Sequence, residues 1–203
     1  MARPKVHDEA LRVRLLDEAG RLLSEEGPAV LSLRTLAKHV GTSTTAVYSL
    51  FGSKSALVRA VFLEGFARFG ARLAAVPRSD DPITDLLRLG VAYRESAMAD
   101  PHLYSIMFGP AVPDFEPEPE DTEASQATMK PLLEAVRAAR DADLLTDTPA
   151  ETIAIALWAH AHGLVSLELA AAMPEDFDVE SHYQGMLAAA LRGWLRNPPT
   201  QEN

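Results

Sequence analysis

Between Gly41 and Lys54 lies a dense run of neutral hydroxyl groups, Thr42, Ser43, Thr44, Thr45, Tyr48 and Ser49, closed by a lysine. Hydroxyls donate and accept hydrogen bonds without carrying charge, which suits them to the phosphate oxygens and base edges of duplex DNA. Lys54 would supply a cation where a phosphate lies. The same hydroxyls also suit helix caps and contacts with solvent, and that use stands beside the first.

A second group of polar residues falls near the end of the chain. His160 and His162 are two apart, so on a helix they point to different sides and cannot share a metal without another segment. Ser166 follows His162 by one helical turn, and Glu168 would complete a hydrolytic trio in composition. Glu168 faces elsewhere, however, and no nucleophile-elbow sequence precedes the serine. No catalytic residue, metal ligand or cofactor is therefore assigned, and a helical enzyme or small-molecule binder remains the competing reading. The chain has no cysteine, which removes disulfides, thiolate catalysis and cysteine-ligated metal centres, and fits a reducing cytoplasm. The polar start is unlike a signal peptide, and no run looks apolar enough to span a bilayer, so a cytoplasmic protein without membrane contact is expected.

The elements that must hold these residues read as helices throughout. Apolar side chains recur at helical spacing and period-2 runs are missing. A first helix from about Asp8 to Glu26 carries Leu11, Leu15, Ala19, Leu22 and Leu23 on one face and stops at Gly27. A second, with Ser32 as cap, presents Leu33, Leu36, Ala37 and Val40 before Gly41. Ser43 caps a third, with Ala46, Val47, Leu50 and Phe51 turned inward, and Ser53 caps a long fourth helix to about Val76. Helices follow at about 82–100, 102–108, 125–142, 150–172 and 179–195. Between them, the stretch 109–123 has four prolines and six carboxylates and reads as a solvated linker.

Charge divides the chain along the same lines. Its total is −10, yet residues 1–60 carry nine basic and six acidic side chains, a net of +3 against −13 for the remainder. Only the head is suited to approach a polyanion. The helix at 150–172 is apolar on two faces, one with Ile153, Leu157, Ala161 and Leu164, and must be covered on both. With the stripe Tyr183, Leu187, Ala190, Leu191 and Trp194 on the last helix it forms half of a four-helix dimer interface, or else both fill a single subunit's core. Phe66, Phe69, Leu89, Tyr93, Tyr104, Met107, Phe108 and Trp158, with His162 as polar handle, would line a pocket for an apolar molecule, although such side chains equally build a core.

Two short helices joined at Gly41-Thr42 make a helix-turn-helix pattern over about 33–52. The stretch from Leu33 to Leu57, LRTLAKHVGTSTTAVYSLFGSKSAL, with a preceding helix that ends Glu-Glu-Gly, resembles the DNA-binding domain of the TetR family of transcriptional regulators. Trp158 to Leu164, WAHAHGL, is similar to the tryptophan, histidine, glycine signature of one group of TetR C-terminal domains. Leu50 stands where the family commonly has histidine, and Thr42 where it commonly has valine.

The resemblance implies an all-α protein, with a DNA-binding head at 1–60 joined by a long helix to a helical ligand-binding and dimerisation body at 61–203. It implies that Thr44, Thr45 and Ala46 face base edges. Ser32, Arg34, Thr42, Ser43, Tyr48 and Lys54 would hold phosphates, and an arm with Arg3 and Lys5 would reach a minor groove. The expected function is a ligand-responsive repressor that binds a palindromic operator as a homodimer through its last two helices, and whose partners are operator DNA and a small apolar effector.

Overall fold

The computed structural model describes residues 5–109 and 115–196. Arg3 lies outside the described residues, as does the side chain of Lys5. Ten α-helices and no strand are present among the described residues. The chain divides into two compact units, and their segments interleave. The first takes the chain up to Arg68 together with Asp100–Gln126, the second Phe69–Ala99 together with the chain from Ala127 on.

In the first unit, α1 (Lys5–Glu25) buries Leu15, Leu16, Ala19, Leu22 and Leu23 and packs on α2 (Leu33–Val40) and α6 (Pro101–Phe108). Small residues make room at the crossings. A methyl group on Gly20 would come 3.0 Å from Leu103 Cδ2, and one on Gly65 would come 2.8 Å from Met107. α3 (Thr44–Phe51) turns Val47 and Phe51 into the same core, where Leu57, Val58 and Val61 of α4 (Lys54–Ala74) and Leu103 meet them. Phe66 lies edge-on to Phe62 and Phe108, with ring centres 4.9 and 5.5 Å apart.

The acidic stretch departs from the expected linker. α7 (Pro119–Ala127) begins within it, with proline in the first turn. Asp121 is fully buried, accepts Arg59 Nε at 2.8 Å and the Glu118 amide at 2.9 Å, and so completes half of a capping box. Glu118 and Glu120 reach the same guanidinium at 3.0 and 3.2 Å. Thr128 and Met129 interrupt the expected helix 125–142, and α8 runs Lys130–Asp141.

In the second unit α5 (Pro82–Ala99), α8, α9 (Ala150–Leu169) and α10 (Val179–Arg192) pack around Leu86, Leu89, Val136, Leu145, Ile153 and Leu191. Arg94 binds Glu168 bidentately at 2.7 and 2.6 Å. A short antiparallel contact, Leu145 with Leu195, ties together the segments that follow α8 and α10.

Two expectations about the last helices need correction. Leu187 and Leu191 lie inside the subunit's own core. A methyl group on Gly90 of α5 would come 2.5 Å from Leu187 Cδ1, and the Tyr183 hydroxyl donates to the Gly90 carbonyl at 3.2 Å. On the stripe assigned to a second chain, Tyr183 and Leu187 therefore face α5, while Leu164, Ala190 and Trp194 are half-buried. The exposed residues include Ile155, Ala159 and Leu167 on α9 and His182, Gly185 and Ala189 on α10. Second, α9 has the length and composition of a membrane-crossing helix, with a mean hydropathy of 1.3 over eighteen residues. In the fold it packs on three other helices.

Candidate nucleic-acid interface

The hydroxyl run is held by three serine caps in sequence. Ser32 Oγ accepts the Thr35 amide at 3.0 Å at the start of α2, and Ser43 Oγ accepts Ala46 at 3.1 Å at the start of α3. Ser53 Oγ accepts Ala56 at 3.1 Å on α4. Each serine thus satisfies an orphan amide and keeps its own proton for another partner. The Ser32 hydroxyl already lies 2.8 Å from Thr35 Oγ1.

Glycines make the two turns. Gly41 sits in the left-handed region at φ 73°, ψ 40°, and its amide and that of Thr42 return to the last carbonyls of α2. Gly52 has φ 73° with ψ −51°, and the Ser53 amide bonds the Phe51 carbonyl at 2.8 Å, which is a γ-turn of the strained hand. Helix α3 is thereby fixed at both ends.

On α3, Thr45, Tyr48 and Ser49 are exposed, and Tyr48 keeps 55% of its surface. Thr42, Thr44 and Ala46 are half-buried, so the exposed row is narrower than the sequence implies. Leu50 is half-buried against the core of the first unit.

The basic residues sort by partner. Arg21 pairs with Glu18 and Glu25 at 2.8 and 2.5 Å, Arg12 with Glu64 at 3.5 Å, and Arg59 with the acidic cluster already described. Arg14 donates to the Val40 carbonyl at 2.7 Å, at the negative end of α2. Hydrogen bonds from Arg21, then from His39, hold the Glu18 carboxyl below its ordinary range. Arg34 and Lys38, one turn apart on α2, are exposed and belong to none of the described ion pairs. Lys54 is exposed, and its Nζ donates to the Pro28 carbonyl at 2.5 Å. With Arg14, whose described partner is a carbonyl, these three cations belong to none of the described ion pairs of the head.

The nine side chains expected to line one pocket are divided between the units. Phe66, Tyr104, Met107 and Phe108 belong to the first, where Phe66 and Tyr104 each pack on Phe108 and Met107 lies against Gly65. Phe69, Leu89, Tyr93, Trp158 and His162 belong to the second. There Phe69 meets Tyr93 edge-on at 4.9 Å, and the Tyr93 hydroxyl lies 3.1 Å from His162 Nδ1. Ser166 lies 3.4 Å from His162 Nε2, and the Trp158 ring is 5.6 Å from the imidazole.

Burial holds the His162 pKa below its ordinary 6.5, which keeps the ring neutral at pH 7. A depressed histidine pKa means that the unfolded chain takes up the proton first. Stability from this site is therefore complete above about 6.5 and lost as pH falls towards the folded value. Thermal melts of the native chain should fall more steeply between pH 6.5 and 5 than those of His162→Asn. Parallel curves would remove His162 from that role.

Two short capped helices around a glycine turn, with a long helix leading into a second all-helical unit, define a helix-turn-helix regulator built as head and body. Comparison with known proteins agrees at both ends. Residues 15–61 match the family described as bacterial regulatory proteins, tetR family, and residues 86–190 match the tetracyclin repressor-like C-terminal domain. The chain belongs to the TetR family of transcriptional regulators, a family of DNA-binding proteins and not of enzymes. The HTH-type transcriptional regulators Mb1846 of Mycobacterium bovis and Rv1816 of Mycobacterium tuberculosis are each 25% identical over 120 residues, 56% of this chain and 50% of theirs. The chain thus spans about half the length of the curated relatives it matches.

A solved structure from Rhodococcus sp. RHA1, of unknown function, is 28% identical, with a TM-score of 0.76 over 92% of this chain and 96% of that one. The fold is shared with a complex of SmeT with triclosan, 24% identical, with a TM-score of 0.68 over 96% of this chain and 98% of that one. Members of the family bind operator DNA and small-molecule effectors, typically as dimers.

Proposed function

We propose that this chain is a ligand-responsive repressor that binds a palindromic operator as a homodimer, with one α3 in the major groove of each half-site. The observation that carries this reading is the exposed Thr45, Tyr48 and Ser49 row on a helix fixed by the Ser43 cap and the Gly52 turn. Arg34, Lys38 and Lys54 are exposed cations outside the described ion pairs. Thr44, Thr45 and Ala46 are assigned to base edges, and Ser32, Arg34, Thr42, Ser43, Tyr48 and Lys54 to phosphates. The two α3 helices would then lie about 34 Å apart, one turn of duplex.

The open stripes of α9 and α10 supply the dimer contact in this reading. The effector is a small apolar molecule received around Trp158 and His162. It releases the operator only if it binds the non-binding conformation more tightly, by a few kcal/mol.

Fluorescence anisotropy on duplex taken from upstream of the coding region, against scrambled duplex across a salt series, tests the function. Selective binding that weakens steeply with salt supports it. Lys54→Ala should reduce the salt slope by about one unit through the loss of one phosphate contact. Thr45→Ala should relax base preference more than affinity. An unchanged slope or an unchanged preference removes the corresponding residue from its role.

A further inference from the structure

At the end of α4, the 75–81 loop, the first turns of α5 and the face of α8 enclose a cleft of about 490 Å³ within the second unit. That volume lies within the usual range for a small-molecule site. The cleft contains neither Trp158 nor His162, so it is distinct from the aromatic cluster. Its floor is apolar, with Leu73, Leu89 and Ala135 buried and Val76 half-buried.

Its mouth is charged. Arg78 from the loop forms an ion pair with Glu134 of α8, and Lys130 approaches the other oxygen of the same carboxylate at 3.9 Å. Two cations from separate segments thus converge on one carboxylate above an apolar floor.

Deeper in, Asp85 is buried and fully engaged. It accepts the Ser79 amide at 2.9 Å, the Ser79 hydroxyl at 2.7 Å and Arg88 at 3.3 Å. These bonds pin Ser79 and so hold the neighbouring Arg78 at the mouth. At the mouth, Arg78 and Lys130 against Glu134 leave one net positive charge, while Asp85 is matched by Arg88, which does not line the cleft. A cationic guest would oppose the two mouth cations, and a neutral one would gain nothing from them.

We infer that this cleft binds an amphiphilic anion, an alkyl chain of medium length ending in a carboxylate. The chain lies on Leu73, Leu89 and Ala135, and the head group takes the place between Arg78 and Lys130 that Glu134 now holds. Glu134 is then an internal competitor. This inference stands apart from the DNA reading, which the anisotropy measurements decide independently.

Titration calorimetry of the full chain with decanoate and, separately, decanol tests it. Decanoate should bind one to one and decanol more weakly. Arg78→Ala should weaken decanoate about fivefold while decanol is unchanged, since an exposed ion pair contributes little more than that. Glu134→Gln should tighten decanoate, a gain that mere loss of structure would not produce. Ala138→Trp, on the cleft's exposed rim, should block both ligands.

Circular dichroism melts confirm that each variant is folded. Equal binding of the two ligands, decanoate binding indifferent to Arg78 and Glu134, binding lost only in Trp158→Ala, or no binding at all would each overturn the inference.

Discussion

In the proposed homodimer, Ala189→Arg is expected to leave a monomer and to weaken binding to a palindromic duplex by about a hundredfold or more. The variant should keep its helical content. Ala189 is exposed on α10, in a stripe with His182 and Gly185, and a methyl group on Gly185 or on Gly163 of α9 would meet nothing within 4 Å. Ile155 and Leu167 on α9 keep 56% and 47% of their surface, which is costly for large apolar side chains unless another surface covers them.

Small residues flanked by large apolar ones allow two helix pairs to approach closely, and an arginine there would be buried without a partner. The loss in DNA affinity follows because two linked heads gain about 10² to 10⁴ over one head, an advantage the monomer forfeits. Sedimentation velocity and anisotropy on the same samples read both effects. A variant that still sediments as a dimer moves the interface elsewhere. Leu187→Arg makes an informative contrast: it places the charge against Gly90 inside the subunit, and it should unfold the second unit instead of merely dissociating the protein.

Gly52→Val should reduce DNA affinity by about ten- to a hundredfold, more than its effect on the melting temperature alone would suggest. At φ 73°, ψ −51° the backbone is one that a β-branched residue reaches only with strain of about 1–3 kcal/mol. An added Cβ would meet no neighbour, so the cost is entirely one of backbone conformation. The chain relieves such strain by opening the Ser53 to Phe51 bond. That releases the end of α3 from the start of α4 and separates the hydroxyl row from Lys54. Val47 and Phe51 anchor α3 in the core, which limits the loss of stability to a few degrees for a chain of this size. Melting and anisotropy curves measured in the same buffer check this. Unchanged affinity in a folded Gly52→Val would show that the turn does not set the pose of α3.

The helices of the head were legible because their signals are local. Ser32, Ser43 and Ser53 each precede a run with apolar residues at helical spacing, and Gly41 and Gly52 end the runs, so caps and turns follow from neighbours in the chain. The Arg59 to Asp121 pair was not legible. Its partners are 62 residues apart, and a carboxylate among prolines and other acids reads as solvated until the arginine that buries it is in place.

The dimer stripe failed for a related reason. Periodicity marks Leu187 and Leu191 as apolar and on one face, but it cannot say whether α5 or another chain covers that face. Only the position of Gly90 decides it. The exposed residues of α10 are glycine, alanine, histidine and other polar or charged side chains, which no hydrophobicity pattern marks as an interface. Of the proposed site, the exposure of Thr45 and Tyr48 followed from the sequence. The partial burial of Thr42 and Thr44 did not, because their hydroxyls hid the fact that they lie at the junction of α2 and α3.

The interleaving of the two units bears on how such a regulator is assembled from its gene. α6 enters the head's core through Leu103, and α7 closes on Arg59, although both are encoded after the 31 residues of Phe69–Ala99. A head transplanted with one continuous cut would leave behind Leu103 and the carboxylate that neutralises Arg59. Chimeras that exchange DNA specificity by a single crossover therefore inherit an incomplete module, and a workable graft has to carry two separate stretches of coding sequence or alter α3 alone.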